Sequence, residues 1–260
     1  MPQDRILYAD TDAWRVERVV KPAGAAHAGN PLYQVATPRW VFPVCGVSEF
    51  HVQGRQVLLD GLTVVALPAG LPYQVHEWQA AQRSHMVVSM QPGSTTAGSP
   101  ESALAWMLAP RALWLLRLHW RALAQGRERA TGPVLGQGVL RDSAMAHAAV
   151  ARARRFMATR TAAADGLRWS LHDVADAACC SYFHLARLFR AHTGLGLHAY
   201  REQLRLAAAL QRLDEGESDL AALAHDLGYS SQSHLGTVLR REVGVTPAQA
   251  RQALRGQDTP

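Results

Sequence analysis

The chain has 260 residues, of which 48% are hydrophobic and 18% charged, and a formal net charge of +6. This balance excludes a disordered or membrane-embedded chain and predicts a globular protein of two domains. The charge comes almost wholly from arginine, since Lys21 is the only lysine. A basic protein is compatible with a polyanion such as DNA, but the charge alone does not establish that partner.

Three features bear on the compartment of the protein. The cysteines Cys45, Cys179 and Cys180 have no zinc-binding spacing, which predicts free thiols in a reducing environment. The first residues lack the layout of a secretory signal. The most apolar long stretch, residues 103–124, carries three arginines and a histidine, which a bilayer interior does not accept. We therefore expect a cytoplasmic protein with no membrane partner.

The first third of the chain has the rhythm of a β domain. Between Trp14 and Met90, short apolar runs alternate with Gly and Pro every eight to twelve residues. This spacing is typical of an all-β sandwich or barrel. The polar run QPGSTTAGSP, residues 91–100, closes the β region. The predicted first domain spans residues 1–95.

Two helices are predicted in the next segment, residues 101–160. The first runs from Pro110 to Gln125 and carries an apolar face, and proline suits the first helical turn. The second is capped by Asp142 or Ser143 and ends near Thr159. These helices either pack on the β domain or form a dimerisation face, and the pattern leaves both alternatives open.

After residue 168 the chain repeats itself with an offset of 49 to 50 residues. Each copy contains a short amphipathic helix, a tight turn and a second amphipathic helix, which is the helix-turn-helix motif. The apolar positions of the first copy are Leu171, Val174, Ala175, Ala178, Leu185, Leu188 and Phe189. Those of the second copy are Leu220, Leu223, Ala224, Leu227, Leu235, Val238 and Leu239.

The ends of the second helices carry residues suited to helix termini. Serine oxygens accept hydrogen bonds from the first amides of a helix, and glycine accepts the left-handed backbone at its end. Arginines in the last turn complement the helix dipole and can contact phosphates. The predicted N-caps are Ser181 and either Ser230 or Ser231, the C-terminal glycines are Gly194 and Gly244, and the arginines are Arg190 and Arg240.

A single long helix, from Leu197 to Leu213, is predicted between the copies and would fix their separation. Two such units can place their second helices in successive major grooves, about 34 Å apart on one face of DNA. A generic helical repeat shows similar apolar stripes, so the pattern alone does not exclude that alternative. The predicted domain spans residues 165–255.

The same region resembles the DNA-binding domain of the AraC/XylS family of bacterial regulators. The segment WSLHDVADAACCSYFHLARLFRAHTG, the linker RLAAALQRL and the segment AHDLGYSSQSHLGTVLRREVGVTPAQAR match that family in order and spacing. GYSSQSHL and GVTP are its most specific elements. The resemblance implies a DNA-binding transcription factor, without enzymatic activity, that acts as a homodimer with double-stranded DNA and RNA polymerase as partners.

The resemblance also implies which residues read DNA bases. In the first unit they are Phe183, Ala186 and Arg187; an arginine can bond a guanine edge with two hydrogen bonds, and a phenylalanine can contact a thymine methyl. A buried ring is the alternative for Phe183. In the second unit the corresponding positions are Gln232, Ser233, His234, Gly236 and Thr237.

The second unit departs from the family pattern at two of these positions. An arginine is usual where Thr237 stands, and a larger residue is usual where Gly236 stands. Glycine inside a helix costs about 1 kcal/mol relative to alanine. We therefore predict that the second unit anchors the DNA backbone and contributes less to sequence recognition than Arg187 does.

The N-terminal half is similar to the cupin-type sensor barrels of this family, chiefly in GRQVLLDGLTVVALPAGLPY, residues 54–73. The resemblance implies a small-molecule effector and an α+β protein, with a cupin-like barrel and flanking helices preceding the all-α domain. Aromatic residues that could line an effector pocket are Trp40, Phe42, Phe50, Tyr73 and Trp78, although core packing is the more common role for any one of them.

No metal, other cofactor or catalytic site is expected. His51, His76 and His85 do not form the HxH pair with later Glu and His that a cupin metal site requires. No paired carboxylates, phosphate-binding loop or Ser/His/Asp set is evident. A constitutive regulator whose barrel only dimerises, and a cupin enzyme with a DNA-binding module, are the alternatives to an effector-modulated regulator. Neither the effector, the target promoters nor the direction of regulation follows from the sequence.

Overall fold

A computed structural model describes residues 4–22, 31–76, 82–94, 104–127, 148–162 and 169–255. The chain divides into two compact units. A β unit comprises residues 1–108 and 123–146, and a helical unit comprises residues 109–122 and 147–260. This arrangement of a β-rich unit followed by helices confirms the predicted α+β class.

The described β strands form two antiparallel sheets. A six-stranded sheet has the order β1-β2-β9-β4-β7-β10, and a four-stranded sheet has the order β3-β8-β5-β6. The strands are β1 (Asp4–Asp10), β2 (Trp14–Lys21), β3 (Tyr33–Gln34), β4 (Arg39–Cys45), β5 (Ser48–Val52), β6 (Arg55–Leu59), β7 (Thr63–Leu67), β8 (Pro72–His76), β9 (Arg83–Met90) and β10 (Leu104–Met107).

A buried apolar cluster connects the two sheets. Because side chains alternate between the faces of a strand, Val41 of β4 faces this cluster whereas Trp40 and Phe42 point to the opposite face of the sheet. The buried members of the cluster are Val35, Val41, Phe50, Val52, Leu59, Val65, Leu67 and Tyr73. The space between the sheets is therefore lined by residues from both of them.

The last strand was not predicted. β10 pairs with β7, from Leu104 opposite Ala66 to Met107 opposite Thr63, so the β region continues beyond the polar run at 91–100. In the sequence, the apolar residues of this short strand run directly into those of the helix that follows, so the pattern does not distinguish the two elements. Pro110 separates the two, since proline begins a helix but cannot continue one. The segment 101–160 is accordingly divided between the two units.

The two helices of that segment match the predicted ranges closely: α1 spans Pro110–Ala124 and α2 spans Ala148–Ala162. The predicted caps, Asp142 and Ser143, lie outside the described residues. Both helices pack within the helical unit, an arrangement that neither predicted alternative included. Trp114 of α1 is buried in the core of the second helix-turn-helix unit. α2 contacts the three helices that follow it.

Six further helices complete the described part of the helical unit. They are α3 (Leu171–Ala177), α4 (Tyr182–Thr193), α5 (Leu197–Asp214), α6 (Leu220–Asp226), α7 (Gln232–Val243) and α8 (Pro247–Arg255). The long helix predicted to end at Leu213 is α5, which continues for one more residue. Among the described helices, none is long and apolar enough to cross a bilayer.

Candidate DNA interface

The first helix-turn-helix unit is formed by α3 and α4. A capping box begins α3: the Asp173 amide donates to the Ser170 hydroxyl (3.2 Å), and the Ser170 amide donates to the Asp173 carboxylate (2.6 Å). These hydrogen bonds hold the pKa of Asp173 below its usual value. In the turn after α3, Cys179 adopts a left-handed backbone with φ of 56°.

The second unit repeats this turn with glycine in place of cysteine. Gly228 has φ of 71°, and it stands 49 residues after Cys179. Hydrogen bonds repeat with the same offset: Cys179 N–H donates to the Asp176 carbonyl and Gly228 N–H to the His225 carbonyl, each at 2.9 Å. The sequence repeat is thus also a repeat of backbone geometry.

Leucine and phenylalanine side chains hold the second helix of each unit against the first. Leu185 and Phe189 of α4, and Leu235 and Leu239 of α7, are each fully buried. The opposite faces of α4 and α7 are consequently free to contact another molecule. Gly194 (φ 75°) and Gly244 (φ 88°) end these helices in the left-handed conformation, as predicted.

The two predicted serine caps differ in the structure. The Ser231 hydroxyl accepts a hydrogen bond from the His234 amide at 3.1 Å, so Ser231 is the N-cap of α7. Ser181 occupies the N-cap position of α4, but its side chain makes no capping hydrogen bond. The prediction that the Ser181 oxygen caps the helix is therefore not met. Its hydroxyl remains exposed at the start of α4.

Helix α5 joins the units and contributes to both cores. Near its start, Tyr200 packs edge-on against Phe189 with ring centroids 5.1 Å apart, and its hydroxyl accepts a hydrogen bond from Arg154 of α2 (3.1 Å). Near its end, Leu206 and Leu210 lie in the core of the second unit. An 18-residue helix is about 27 Å long, so α5 sets the units apart as a stiff element.

Arginine side chains bond to the first helix of each helix-turn-helix unit or to the residues beside it. Arg212 of α5 forms ion pairs with Glu217 and with Asp226 of α6, each at 2.8 Å. These ion pairs connect α5 to α6. The hydrogen bond from Arg212 also lowers the pKa of Glu217. Arg152 of α2 donates to the Ala178 carbonyl at the end of α3 (2.6 Å). A cation at a helix C-terminus offsets the negative end of the dipole. Both turns are thereby held by arginine.

The outer face of α4 combines an aromatic ring with positive charge. Phe183 is 85% exposed, which excludes the buried alternative for this ring. Arg187 and Arg190 are exposed, and Ala186 is half-buried beside them. An exposed phenylalanine is costly in water unless a partner covers it, and arginine suits base edges and phosphates. This face has the composition of a DNA-reading surface.

Residues that the sequence did not single out adjoin this surface. His184 is exposed, and its Nδ1 lies 3.3 Å from Nη2 of Arg187. Tyr182 contacts both Phe183 (5.6 Å between centroids) and His172 of α3 (5.7 Å). The i, i+3 spacing of His184 and Arg187 is the sequence signal for the first contact, but the second requires the fold of the turn.

The outer face of α7 is polar, and two of its side chains form hydrogen bonds with residues four positions earlier in the chain. The Thr237 hydroxyl donates to the Ser233 carbonyl (3.0 Å), and Nδ1 of His234 lies 3.1 Å from the Ser230 hydroxyl. Gln232 and Arg240 are exposed. Unlike α4, this face carries no exposed Phe, Tyr or Trp among its described residues.

The aromatic residues predicted for an effector pocket do not form one group. Phe50 and Tyr73 stack at 5.9 Å between the sheets, and Tyr33 stacks on Tyr73 at 5.5 Å. Trp40 instead contacts Trp14 (5.6 Å) on the other face of the six-stranded sheet, the face that also carries Phe42. Trp78 lies outside the described residues.

The histidines considered for a metal site are separated in the fold. His51 and His76 stack at 3.8 Å on the four-stranded sheet, where His51 is also bonded to Glu49 (2.6 Å). His85 lies on β9 of the other sheet. Within the ranges that the structure describes, no three His, Cys, Asp or Glu side chains are grouped so as to hold a metal ion.

Comparison with known proteins finds relatives of the helical unit and of most of the chain. A family profile described as a helix-turn-helix domain matches residues 174–253. Proteins named as AraC-like transcription regulators from Streptomyces antibioticus and Streptomyces lividans are each 29% identical over 81% of this chain. The chain spans 63% of the length of these relatives.

Among solved structures, ToxT from Vibrio cholerae aligns over 94% of this chain and 100% of its own, with 9% identity and a TM-score of 0.38. The profile match and the Streptomyces relatives agree with the two helix-turn-helix pairs described above. The chain is therefore similar to AraC-like transcription regulators, over the helix-turn-helix domain and over most of its length in the two Streptomyces proteins.

Proposed function

We propose that this protein is a sequence-specific DNA-binding transcription regulator that acts on double-stranded promoter DNA. The observation that carries the proposal is the outer face of α4, where Phe183 is 85% exposed beside the exposed Arg187. A helix-turn-helix unit places this part of its second helix in the major groove. The helix-turn-helix match and the similarity to AraC-like transcription regulators support the same function.

In this proposal the two units have unequal roles. Arg187 of α4 reads a guanine edge, and Phe183 contacts a thymine methyl, so the first unit supplies most of the sequence recognition. On the outer face of α7, His234 is hydrogen-bonded to Ser230 and Thr237 is hydrogen-bonded to a backbone carbonyl of the helix. Gly236 has no side chain with which to contact a base. The second unit therefore anchors the phosphate backbone, chiefly through Arg240.

The first experiment identifies the operator. DNA fragments recovered with the purified full chain are sequenced, and a shared site is then used for binding titrations. Affinity for this site should fall steeply as salt is raised, because arginine contacts to phosphate release counterions. Failure to recover any shared site, with the protein folded, would contradict sequence-specific binding.

The second experiment tests the residues. Arg187→Ala should lower affinity for the operator relative to random DNA by about 1 to 3 kcal/mol, roughly 5- to 150-fold. Gln232→Ala should change this ratio less. Arg55→Ala, which removes the same charge from β6, is the matched control and should leave the ratio unchanged. Equal losses for Arg187→Ala and Gln232→Ala would refute the unequal roles.

The β unit is proposed to bind a small effector and to support a homodimer, with RNA polymerase as a further partner at the promoter. Tyr73 and Phe50, stacked between the two sheets, support an effector site there. A ligand present at 100 times its Kd stabilises the folded state by about 2.7 kcal/mol, which a thermal shift screen detects.

Light scattering of the purified chain tests whether it forms a dimer. An alternative, a constitutive regulator whose barrel only dimerises, predicts no ligand response.

A further inference from the structure

Helix α4 carries a histidine that contacts the arginine proposed to read a guanine. Nδ1 of His184 lies 3.3 Å from Nη2 of Arg187, one helical turn further along. Residues at this spacing are neighbours on the surface of a helix. Both side chains are exposed, so the contact lies on the face that is proposed to meet DNA.

The direction of this hydrogen bond follows from the chemistry of the two groups. A guanidinium has N–H donors and no acceptor, so Nδ1 of His184 accepts the hydrogen bond from Arg187. The neutral imidazole then carries its own proton on Nε2. His184 therefore acts on Arg187 as an uncharged acceptor that orients the guanidinium.

No other side chain of α4 offers Arg187 an acceptor at this distance along the helix. Its neighbours three and four positions away are Phe183, His184, Arg190 and Ala191. Only the histidine among them has an acceptor in its side chain, and α4 contains no Asp or Glu. A carboxylate would hold Arg187 as an ion pair, which DNA would have to displace. An imidazole orients the arginine without neutralising its charge.

The second unit provides an internal comparison. With the offset of 50 residues, His184 corresponds to His234, which is also exposed. The position of Arg187 is occupied by Thr237. Nδ1 of His234 lies instead 3.1 Å from the hydroxyl of Ser230. The same helix position thus carries a histidine in both units, and only the first unit couples it to an arginine.

An arginine that is already held in place loses less freedom when it binds. The cost of immobilising a long flexible side chain corresponds to about two- to twelvefold in affinity. Two parallel hydrogen bonds to a guanine edge require one orientation of the guanidinium, whereas a phosphate accepts many. Orientation of Arg187 should therefore favour the operator over random DNA.

We propose that His184 is a positioning residue for sequence recognition. Its imidazole holds the Arg187 guanidinium in the orientation that bonds a guanine edge, and it acts through Arg187 rather than by a contact of its own with DNA. This inference rests on the regulator function proposed above and adds a residue to the surface that carries it.

The test measures the affinity for the operator relative to random DNA, using the purified full chain. His184→Phe keeps a ring but removes the acceptor, so it should lower this ratio by about two- to twelvefold. His184→Asn keeps an acceptor oxygen near the position of Nδ1 and should restore the parent ratio. His184→Ala applies the first criterion if the phenylalanine variant does not fold. An unchanged ratio without the acceptor, or no rescue by asparagine, would overturn the proposal.

A double-mutant cycle separates positioning from a direct contact with DNA. In an Arg187→Ala background, His184→Phe should cause no further loss, because the group that His184 orients is absent. The two single variants should also relax the preference for the same base pair of the operator. Additive losses, or relaxation at different base pairs, would show an independent contact and refute the positioning role.

His198→Phe is the matched control. Nδ1 of His198 lies 3.4 Å from Nη2 of Arg201, so α5 contains the same pair at the same spacing. This helix is not proposed to read bases, and the substitution should leave the ratio unchanged. A loss equal to that of His184→Phe would mean that the effect is not specific to the recognition surface, and the proposal would fail.

The parent chain and Arg187→Ala distinguish the two ways in which the idea can fail. If the parent has no preference for any operator, the proposed regulator function is contradicted. If its preference depends on Arg187 but not on His184, only the positioning role is contradicted.

Discussion

Replacing Cys179 by glycine is expected to stabilise the first helix-turn-helix unit. Cys179 has φ of 56°, a conformation that side chains disfavour. The second unit has glycine at the equivalent position, with φ of 71° and the same hydrogen bond to the preceding helix. The chain thus contains its own example of the residue that this turn prefers.

The size of the effect follows from two opposing contributions. A left-handed backbone costs a non-glycine residue roughly 1 to 2 kcal/mol. Glycine loses more conformational entropy on folding, about 0.5 to 1 kcal/mol. Cys179→Gly should therefore raise the free energy of unfolding by about 0.5 to 1 kcal/mol, which corresponds to an increase of a few degrees in melting temperature.

Urea denaturation followed by far-ultraviolet circular dichroism measures the change, because this signal reports the helices. Cys179→Ala removes the thiol but keeps the Cβ, so its stability should equal that of the parent chain. Gly228→Ala should lose about 1 kcal/mol or more. If Cys179→Gly gave no gain while Gly228→Ala were harmless, the backbone argument would be wrong.

Three further predictions concern the helical unit. Ser231→Ala should destabilise the protein by about 1 kcal/mol, because it removes the cap of α7, whereas Ser181→Ala should have no measurable effect because that hydroxyl caps nothing; equal losses in urea denaturation would contradict the difference. Gly236→Ala should stabilise α7 by about 1 kcal/mol, since a Cβ there meets only ordinary contacts at 3.8 Å, and a lower melting temperature would refute this. Asp173 has a lowered pKa in the folded state, so its ionised form stabilises the fold above the unfolded pKa, and this stabilisation is lost as the pH falls through the folded pKa. Asp173→Asn should therefore be less stable than the parent at pH 6, with a gap that closes in acid; a gap that did not depend on pH would exclude this account.

Much of the helical unit follows from local sequence. Helix periodicity, Gly194 and Gly244 predicted the ends and faces of α4 and α7, because these signals act within a few residues of the chain. Phe183 was left open between a buried and an exposed position. Its exposure depends on which neighbours fill the interior, and Leu185 and Phe189 fill it in the folded unit.

Other features required the tertiary structure. Trp114 of α1 packs in the second unit, far along the chain, and periodicity shows that a helix has an apolar face without showing what covers it. The positions of the aromatic residues predicted for an effector pocket also required the tertiary structure. Trp40 and Phe42 alternate with Val41 along β4, so they lie on the opposite face of the strand. Only strand pairing decides which of the two faces packs against the other sheet.

The sequence alone determined the α+β order of the units, the repeat with its turns, and the residues on the outer faces of the recognition helices, since all of these are encoded by short-range pattern. Only the fold decided that Tyr73 stacks on Tyr33 and Phe50 between the two sheets, and that α1 and α2 belong to the helical unit. Those contacts join residues that are distant in the chain, and their partners are selected by packing rather than by local preference.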